Sequence, residues 1–213
     1  MSGGTPRGFI VAGTDTGIGK TVFSAGLVRA LDGCYWKPVQ AGLDEETDSA
    51  AVRRLGKLPA DRILPSAYEL KMPASPHIAA AAEGIDIRQR QLALPVVARP
   101  LIVEPAGGLL VPMSPRLLQI DLIAHWGLPV ILCARTALGT INHSLLSLEA
   151  MRRRRIPVHG IAFIGNMEPE VEATIARLGH VQRLGRLPHL PRLDARSLAT
   201  AFSTGFDIAD FQV

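Results

Sequence analysis

Cysteine is almost missing from this chain: Cys34 and Cys133 are the two present in 213 residues. They stand far apart, with no CxxC pair and no zinc-type spacing, so two buried reduced thiols are expected rather than a disulfide or a structural metal. Aromatic residues make up 5% and do not interleave with basic ones, which removes the stacking platform a single-strand nucleic-acid binder needs. No apolar run nears the ~18 residues of a membrane-spanning helix. The opening residues MSGGTPRG carry no apolar leader core, so a cytoplasmic protein with no membrane partner is expected. HExxH and GxSxG motifs are lacking. The histidines (His77, His125, His143, His159, His180 and His189) are scattered without acids at ligand spacing, so zinc-protease and serine-hydrolase chemistry have no support.

What is present has an ordinary globular balance, with 47% hydrophobic and 20% charged residues. That is enough chain for one well-filled core, and a single domain over residues 1–213 is expected. The net charge of +4 raises nucleic acid as a partner. The one concentrated basic run, Arg152 to Arg155, follows a helical pattern of Ile141, Leu145, Leu148 and Met151, where cations complement a helix dipole. Nucleotide phosphates are the simpler anionic partner, and no nucleic acid is expected.

Short apolar runs at 9–12, 35–39, 101–104, 130–133, 161–164 and 183–187 read as strands. Helical patterns at 20–31, 119–126, 142–153 and 170–178 alternate with them, and another begins near Asp48 with Thr47 as N-cap. Alternation of this kind predicts an α/β fold of the P-loop NTPase type: a mostly parallel sheet with helices on both faces and ligands at the carboxyl ends of its strands. Residues 56–100 are richer in proline and give no regular pattern.

The strongest local signal is GTDTGIGKT at residues 13–21, which follows a strand and opens a helix. Gly17 and Gly19 let the backbone curl so that successive amides, with the helix N-terminus, face oxyanions. Lys20 reaches terminal phosphates, and the Thr21 hydroxyl is placed to ligate Mg²⁺. Five residues, not four, separate Gly13 from Gly19, so the loop is a variant of the usual pattern. Lys37, in KPVQ at 37–40, falls at the same sheet edge, where a cation can neutralise an anionic substrate. Glu104 closes the run at 101–103, an acid at a strand end suited to holding Mg²⁺, and Asp48 is the second carboxylate.

Together these segments resemble the dethiobiotin synthetase family along nearly the whole chain. The matching pieces are GTDTGIGKT at 13–21, KPVQ at 37–40, Asp48, SPH at 75–77, VEPAGG at 103–108, LGTINH at 138–143 and Gly165 with Asn166. The five-residue spacer is itself typical of that family. The resemblance implies an ATP- and Mg²⁺-dependent ligase that closes a cyclic urea from 7,8-diaminononanoate and CO₂ or bicarbonate. It implies that Lys37, Lys20 and Thr16 are catalytic, and that Thr21, Asp48 and Glu104 hold the metal. Gly17, Ile18, Gly19, Lys20, Thr21, Val22 and Gly107 would contact the nucleotide, with Asn166, Leu187, Pro188 and His189 at its base. Ala41, Gly107 and Gly108 would line the substrate site, and Leu138, Gly139 and Asn142 would reach it from the other subunit of a homodimer. Two positions depart from the family: Ala41 replaces a usual Ser or Thr, and Pro105 replaces a usual Gly and removes a backbone N–H. A partition-type regulatory ATPase is the alternative. Such proteins carry an extra upstream lysine, where this chain has Thr14 and Asp15.

Overall fold

The computed structural model describes residues 7–212; residues 1–6, on which the expectation of no leader rests, lie outside them. In chain order the elements are β1 (Gly8–Gly13), α1 (Lys20–Ala30), β2 (Cys34–Trp36), β3 (Val39–Ala41), α2 (Asp48–Gly56), β4 (Ile63–Leu64), β5 (Tyr68–Leu70), α3 (Pro76–Ala82) and β6 (Leu101–Val103). There follow β7 (Pro112–Ser114), β8 (Leu117–Leu118), α4 (Gln119–Trp126), β9 (Val130–Arg135), α5 (Thr140–Arg153), β10 (Val158–Ile164), α6 (Pro169–Leu178), β11 (Arg183–Leu187) and α7 (Ala195–Gly205). Seven strands form one sheet in the order β11-β10-β9-β1-β6-β2-β4, and every pairing within it is parallel.

Alternate residues of each strand sort onto opposite faces, as the two-residue period of a pleated strand requires. Ile10, Ala12, Val103 and Leu132 pack with Ile120, Ile123, Leu148 and Ile175 from α4, α5 and α6. Phe9, Val11, Tyr35 and Ile131 pack with Phe23, Leu27, Val52 and Phe202 from α1, α2 and α7. The doubly covered sheet is therefore the P-loop NTPase architecture expected. Both cysteines are free and buried. No helix among the described residues is long and apolar enough to cross a membrane.

The structure departs from the sequence reading in three places. The run at 35–39 is not one strand: β2 stops at Trp36, and after Lys37-Pro38 the chain moves to a separate two-stranded sheet, where β3 pairs with β5. Pro38 cannot donate to the ladder, and its carbonyl instead accepts from Ala67 and Tyr68 amides at 2.9 and 3.2 Å. Residues 56–100, without a readable pattern, supply β4 on the sheet edge, β5 and α3. The helix α7 was not anticipated; Asp194 caps it, accepting from the Arg196 and Ser197 amides at 3.0 and 2.9 Å. The basic run falls at the end of α5, as expected. Arg153 pairs with Glu149, Arg154 pairs with Asp121, and Arg152 donates to the carbonyls of Gly179 and His180.

Candidate active site

The loop from Thr14 to Gly19 leaves β1 at its carboxyl end and turns directly into α1. Thr14 N donates to Cys133 O at 3.1 Å, fixing the loop's start to β9. Gly19 adopts φ 96°, a left-handed turn that lets the chain reverse into the helix. A Cβ there would lie 2.9 Å from Ile164 Cγ2, so the loop packs on the end of β10 as well. Lys20 is buried, and its ammonium donates to Asp15 O at 3.0 Å. Burial lowers its pKa, opposed in part by Glu104 and reinforced by Lys37. At the loop tip Arg135 donates to Thr16 O and Asp15 Oδ2, both at 3.3 Å.

Four elements carry one polar cluster beside this loop: α1, α2 and the ends of β2 and β6. Thr21, in the first turn of α1, donates between two carboxylates, 2.8 Å from Asp48 Oδ1 and 2.9 Å from Glu104 Oε1. Lys37 Nζ lies 2.6 Å from Asp48 Oδ2 and 3.3 Å from Glu104 Oε1. Burial disfavours the Lys37 ammonium, but Glu104 and Asp48 outweigh it and raise its pKa above the ordinary value. Burial likewise works against the Asp48 carboxylate, and the adjacent Lys37 and Thr21 overcome it, so its pKa is lowered. Asp48 is set by its helix: Thr47 Oγ1 accepts from Ala50 N at 3.2 Å, and Gln40 Oε1 accepts from Asp48 N at 3.2 Å. A hydroxyl and two carboxylates converging at hydrogen-bond distance form an all-oxygen donor set of the kind a hard divalent cation takes.

Lys37 and Asp48 open onto a cavity of about 390 Å³ that Thr16, Gln40, Ala41 and Gly107 also line. Its remaining wall is largely apolar, from Val39, Pro73, Ala74, Pro76 and Val111. Gly107 has φ 65°, and a Cβ there would stand 3.1 Å from Thr16 Oγ1. Gly108 faces a second cavity of about 510 Å³ with Thr14, Asp15, Thr16 and His143. On the far side of the loop, Gly165 N donates to Leu187 O at 2.9 Å and Arg186 donates to Gly165 O at 3.0 Å. His189 Nε2 is 3.4 Å from the point a Gly165 Cβ would occupy. Asn166, exposed, and Leu187, Pro188 and His189 thus gather where β10 and β11 end.

The chain does not bring Leu138, Gly139 and Asn142 into the Lys37 cavity. They line a separate one of about 540 Å³ with Thr136, Glu168 and Val171, and Leu138 is fully exposed. Residues that the sequence reading did not single out also build the site. Tyr35 donates from its buried hydroxyl to Glu104 Oε2 at 3.0 Å. Burial, with Glu104 and Asp48 nearby, drives its pKa well above the usual phenol value. The available signal was the spacing of two between Tyr35 and Lys37, which puts both on one side of an extended chain. Gln119, buried at the start of α4, donates to Gly108 O at 2.7 Å and steadies the glycine pair. Nothing local marked it.

A glycine-rich loop at the carboxyl end of the central strand of a parallel, doubly covered sheet, with a buried lysine and a helix-borne threonine behind it, defines a P-loop nucleotide-binding protein of the ATPase type. A family model described as an AAA domain matches residues 7–197. Among solved structures, a ParA family ATPase from Chlorobium tepidum TLS aligns with TM-score 0.55 at 9% identity, covering 94% of this chain and 99% of that one. A chain of the MinC:MinD cell division protein complex of Aquifex aeolicus aligns with TM-score 0.50 at 11% identity, covering 92% of this chain and 86% of that one. At such identities these likenesses carry the fold alone. Sequence relatives are much nearer. The ATP-dependent dethiobiotin synthetase BioD of Rhodopseudomonas palustris (strain BisA53) is 62% identical over 207 residues, 97% of each chain. Those of Nitrobacter hamburgensis and Brucella ovis are 58% and 57% identical over 202 residues, 95% of each chain. The chain belongs to the ATP-dependent dethiobiotin synthetase family.

Proposed function

We propose that this single-domain chain closes the ureido ring of dethiobiotin from 7,8-diaminononanoate and CO₂, consuming ATP with Mg²⁺ and releasing ADP and phosphate. Beyond family membership, the observation that supports this most is the Lys37 ammonium. It is buried at the edge of a largely apolar cavity and next to the phosphate loop, which suits an anionic group on an alkyl-chain substrate. In the reaction, one amine adds to CO₂ and loses a proton to give a carbamate. A carbamate oxygen then attacks the γ-phosphorus and ADP leaves. The second amine attacks the carbonyl carbon of the resulting carbamic-phosphoric anhydride, expelling phosphate and losing a proton as the ring closes.

Lys37 holds the carbamate in this reading, and Thr16 contacts the transferred phosphate. Lys20 and the amides of Gly17, Ile18, Gly19 and Thr21 take up the phosphate charge, which is the main catalytic task in phosphoryl transfer. Thr21, Asp48 and Glu104 would hold Mg²⁺, which when bound supplies charge neutralisation to the β- and γ-phosphates. Val22 and Gly107 contact the nucleotide, while Asn166, Leu187, Pro188 and His189 form its base pocket. Ala41, Gly107 and Gly108 line the substrate site, and a homodimer brings Leu138, Gly139 and Asn142 to the partner's cavity. Phosphate release from ATP should require both 7,8-diaminononanoate and bicarbonate, with dethiobiotin formed in step with ADP. Release indifferent to the diamine would replace this reading with a regulatory ATPase.

A further inference from the structure

Glu104 is buried, and its two oxygens have different partners. Oε1 faces the loop cluster, accepting from Thr21 at 2.9 Å and Lys37 at 3.3 Å. Oε2 points back into the sheet and accepts from the Tyr35 hydroxyl at 3.0 Å. The terminal torsion of a glutamate is broad and roughly two-fold, so the side chain alone does not select which oxygen faces the site. A fixed donor on one oxygen does.

The backbone puts Tyr35 where it can act. β2 and β6 pair with Tyr35 opposite Ile102, and Glu104 lies two residues beyond Ile102. Its amide still donates to Trp36 O at 3.0 Å, so the ladder geometry extends to Glu104. Ile102 and Glu104 then face the same side, which makes Tyr35 and Glu104 diagonal cross-strand neighbours within reach of a long side chain. Tyr35 is fully buried among Phe23, Val52 and Leu55, so its ring has little room to turn away.

We propose that Tyr35 is a positioning residue for the metal: by committing Glu104 Oε2, it presents Oε1 as the single oxygen Glu104 offers to a divalent cation beside Thr21. This rests on the reading above that Glu104 holds Mg²⁺. The test is Tyr35→Phe, which keeps the ring and removes the hydroxyl. ADP binding to the full-length protein is measured by calorimetry in EDTA and across a Mg²⁺ titration. The expected result is an ADP affinity in EDTA within about twofold of wild type, with the Mg²⁺ midpoint for tighter binding raised about tenfold. A merely structural role would lower the melting temperature without separating these two quantities. A Mg²⁺ midpoint within about twofold of wild type would overturn the proposal. As a second variant, Glu104→Gln serves as background: there Tyr35→Phe should move the midpoint by less than about twofold, and an undiminished shift would also overturn it. Wild-type protein whose ADP binding ignores Mg²⁺ would sink the metal reading itself, and this proposal with it.

Discussion

Replacing Lys37 by methionine keeps an unbranched side chain, shorter by one atom, and deletes its charge. The ammonium lies 2.6 Å from Asp48 Oδ2 and 3.3 Å from Glu104 Oε1, so it bridges the two carboxylates among the proposed metal ligands. Lys37→Met leaves two neighbouring carboxylates without that cation. Removing one partner of a buried pair costs about 3–5 kcal/mol. The Asp48 side chain is 32% exposed, and solvent screening brings the expected loss to about 2–3 kcal/mol. For a chain of this size that corresponds to a drop in melting temperature of roughly 4–12 °C. Millimolar Mg²⁺ should restore most of the loss in the variant and raise the wild type less, because the wild type must first displace its own ammonium. Ring closure should be abolished while ADP binding persists. Thermal melts in EDTA and in Mg²⁺ test this directly. A variant that melts with the wild type in EDTA, or one that Mg²⁺ leaves unrescued, would refute the idea that lysine and metal share one anionic site.

The same pair sets an expectation for pH. Asp48 has a lowered folded pKa, so its contribution is present above the ordinary aspartate value of about 3.9 and is lost as pH falls through the folded value. Lys37 has a raised one, so its contribution is complete below about 10.4 and is lost only as pH rises through the folded value. Denaturant melts should therefore show the wild type losing more stability than Lys37→Met on acidification below about pH 4; parallel acid limbs would count against the ion pair. Ala41→Ser returns a hydroxyl to the Lys37 cavity, and a new hydrogen bond of about 1 kcal/mol should lower KM for the diamine up to roughly fivefold. Steady-state kinetics giving an unchanged KM would show that residue 41 does not touch the substrate, and a higher KM would show that the added hydroxyl finds no partner there. Leu138→Glu places a charge on a fully exposed leucine; sedimentation should show a dimer becoming a monomer, with KM for the diamine rising. A dimer that survives would remove Leu138 from the proposed interface.

What was legible in the sequence is what is determined locally. Strand, glycine turn and helix follow one another without a break from Gly8 to Ala30, so the phosphate loop could be placed from the motif alone. Asp48 was placed by the helix-start chemistry of Thr47, and that cap is formed. The break after Trp36 was not legible, because an apolar run around one proline reads as a strand. Its resolution depends on amides thirty residues away, at Ala67 and Tyr68, which take up the Pro38 carbonyl. The helix α7 hid for a different reason. Its apolar positions Leu198 and Phe202 are i,i+4 partners, but Ser197, Thr200, Ser203 and Thr204 lower its intrinsic propensity. Packing of Phe202 against Gly26, where a Cβ would come within 2.3 Å of the ring, holds the helix on α1. That contact is tertiary and leaves no local trace.

The departure at Pro105 acquires a meaning from the structure that the motif comparison did not supply. Lys37 and Glu104 each stand immediately beyond the end of a strand, after β2 and β6, which are adjacent in the sheet. Each is followed by a buried proline, Pro38 and Pro105. A proline restrains the residue before it to extended backbone and cannot itself extend the ladder. The two charged residues are thus held at the sheet edge by the same device, applied to neighbouring strands. The Glu104 amide still bonds Trp36 O at 3.0 Å past the last residue of β6. From that position Glu104 accepts from Thr21 at 2.9 Å and from Lys37 at 3.3 Å. Both charges then meet on geometry fixed by the sheet rather than by a loop, and sites built on regular elements hold their groups more precisely than sites built on loops.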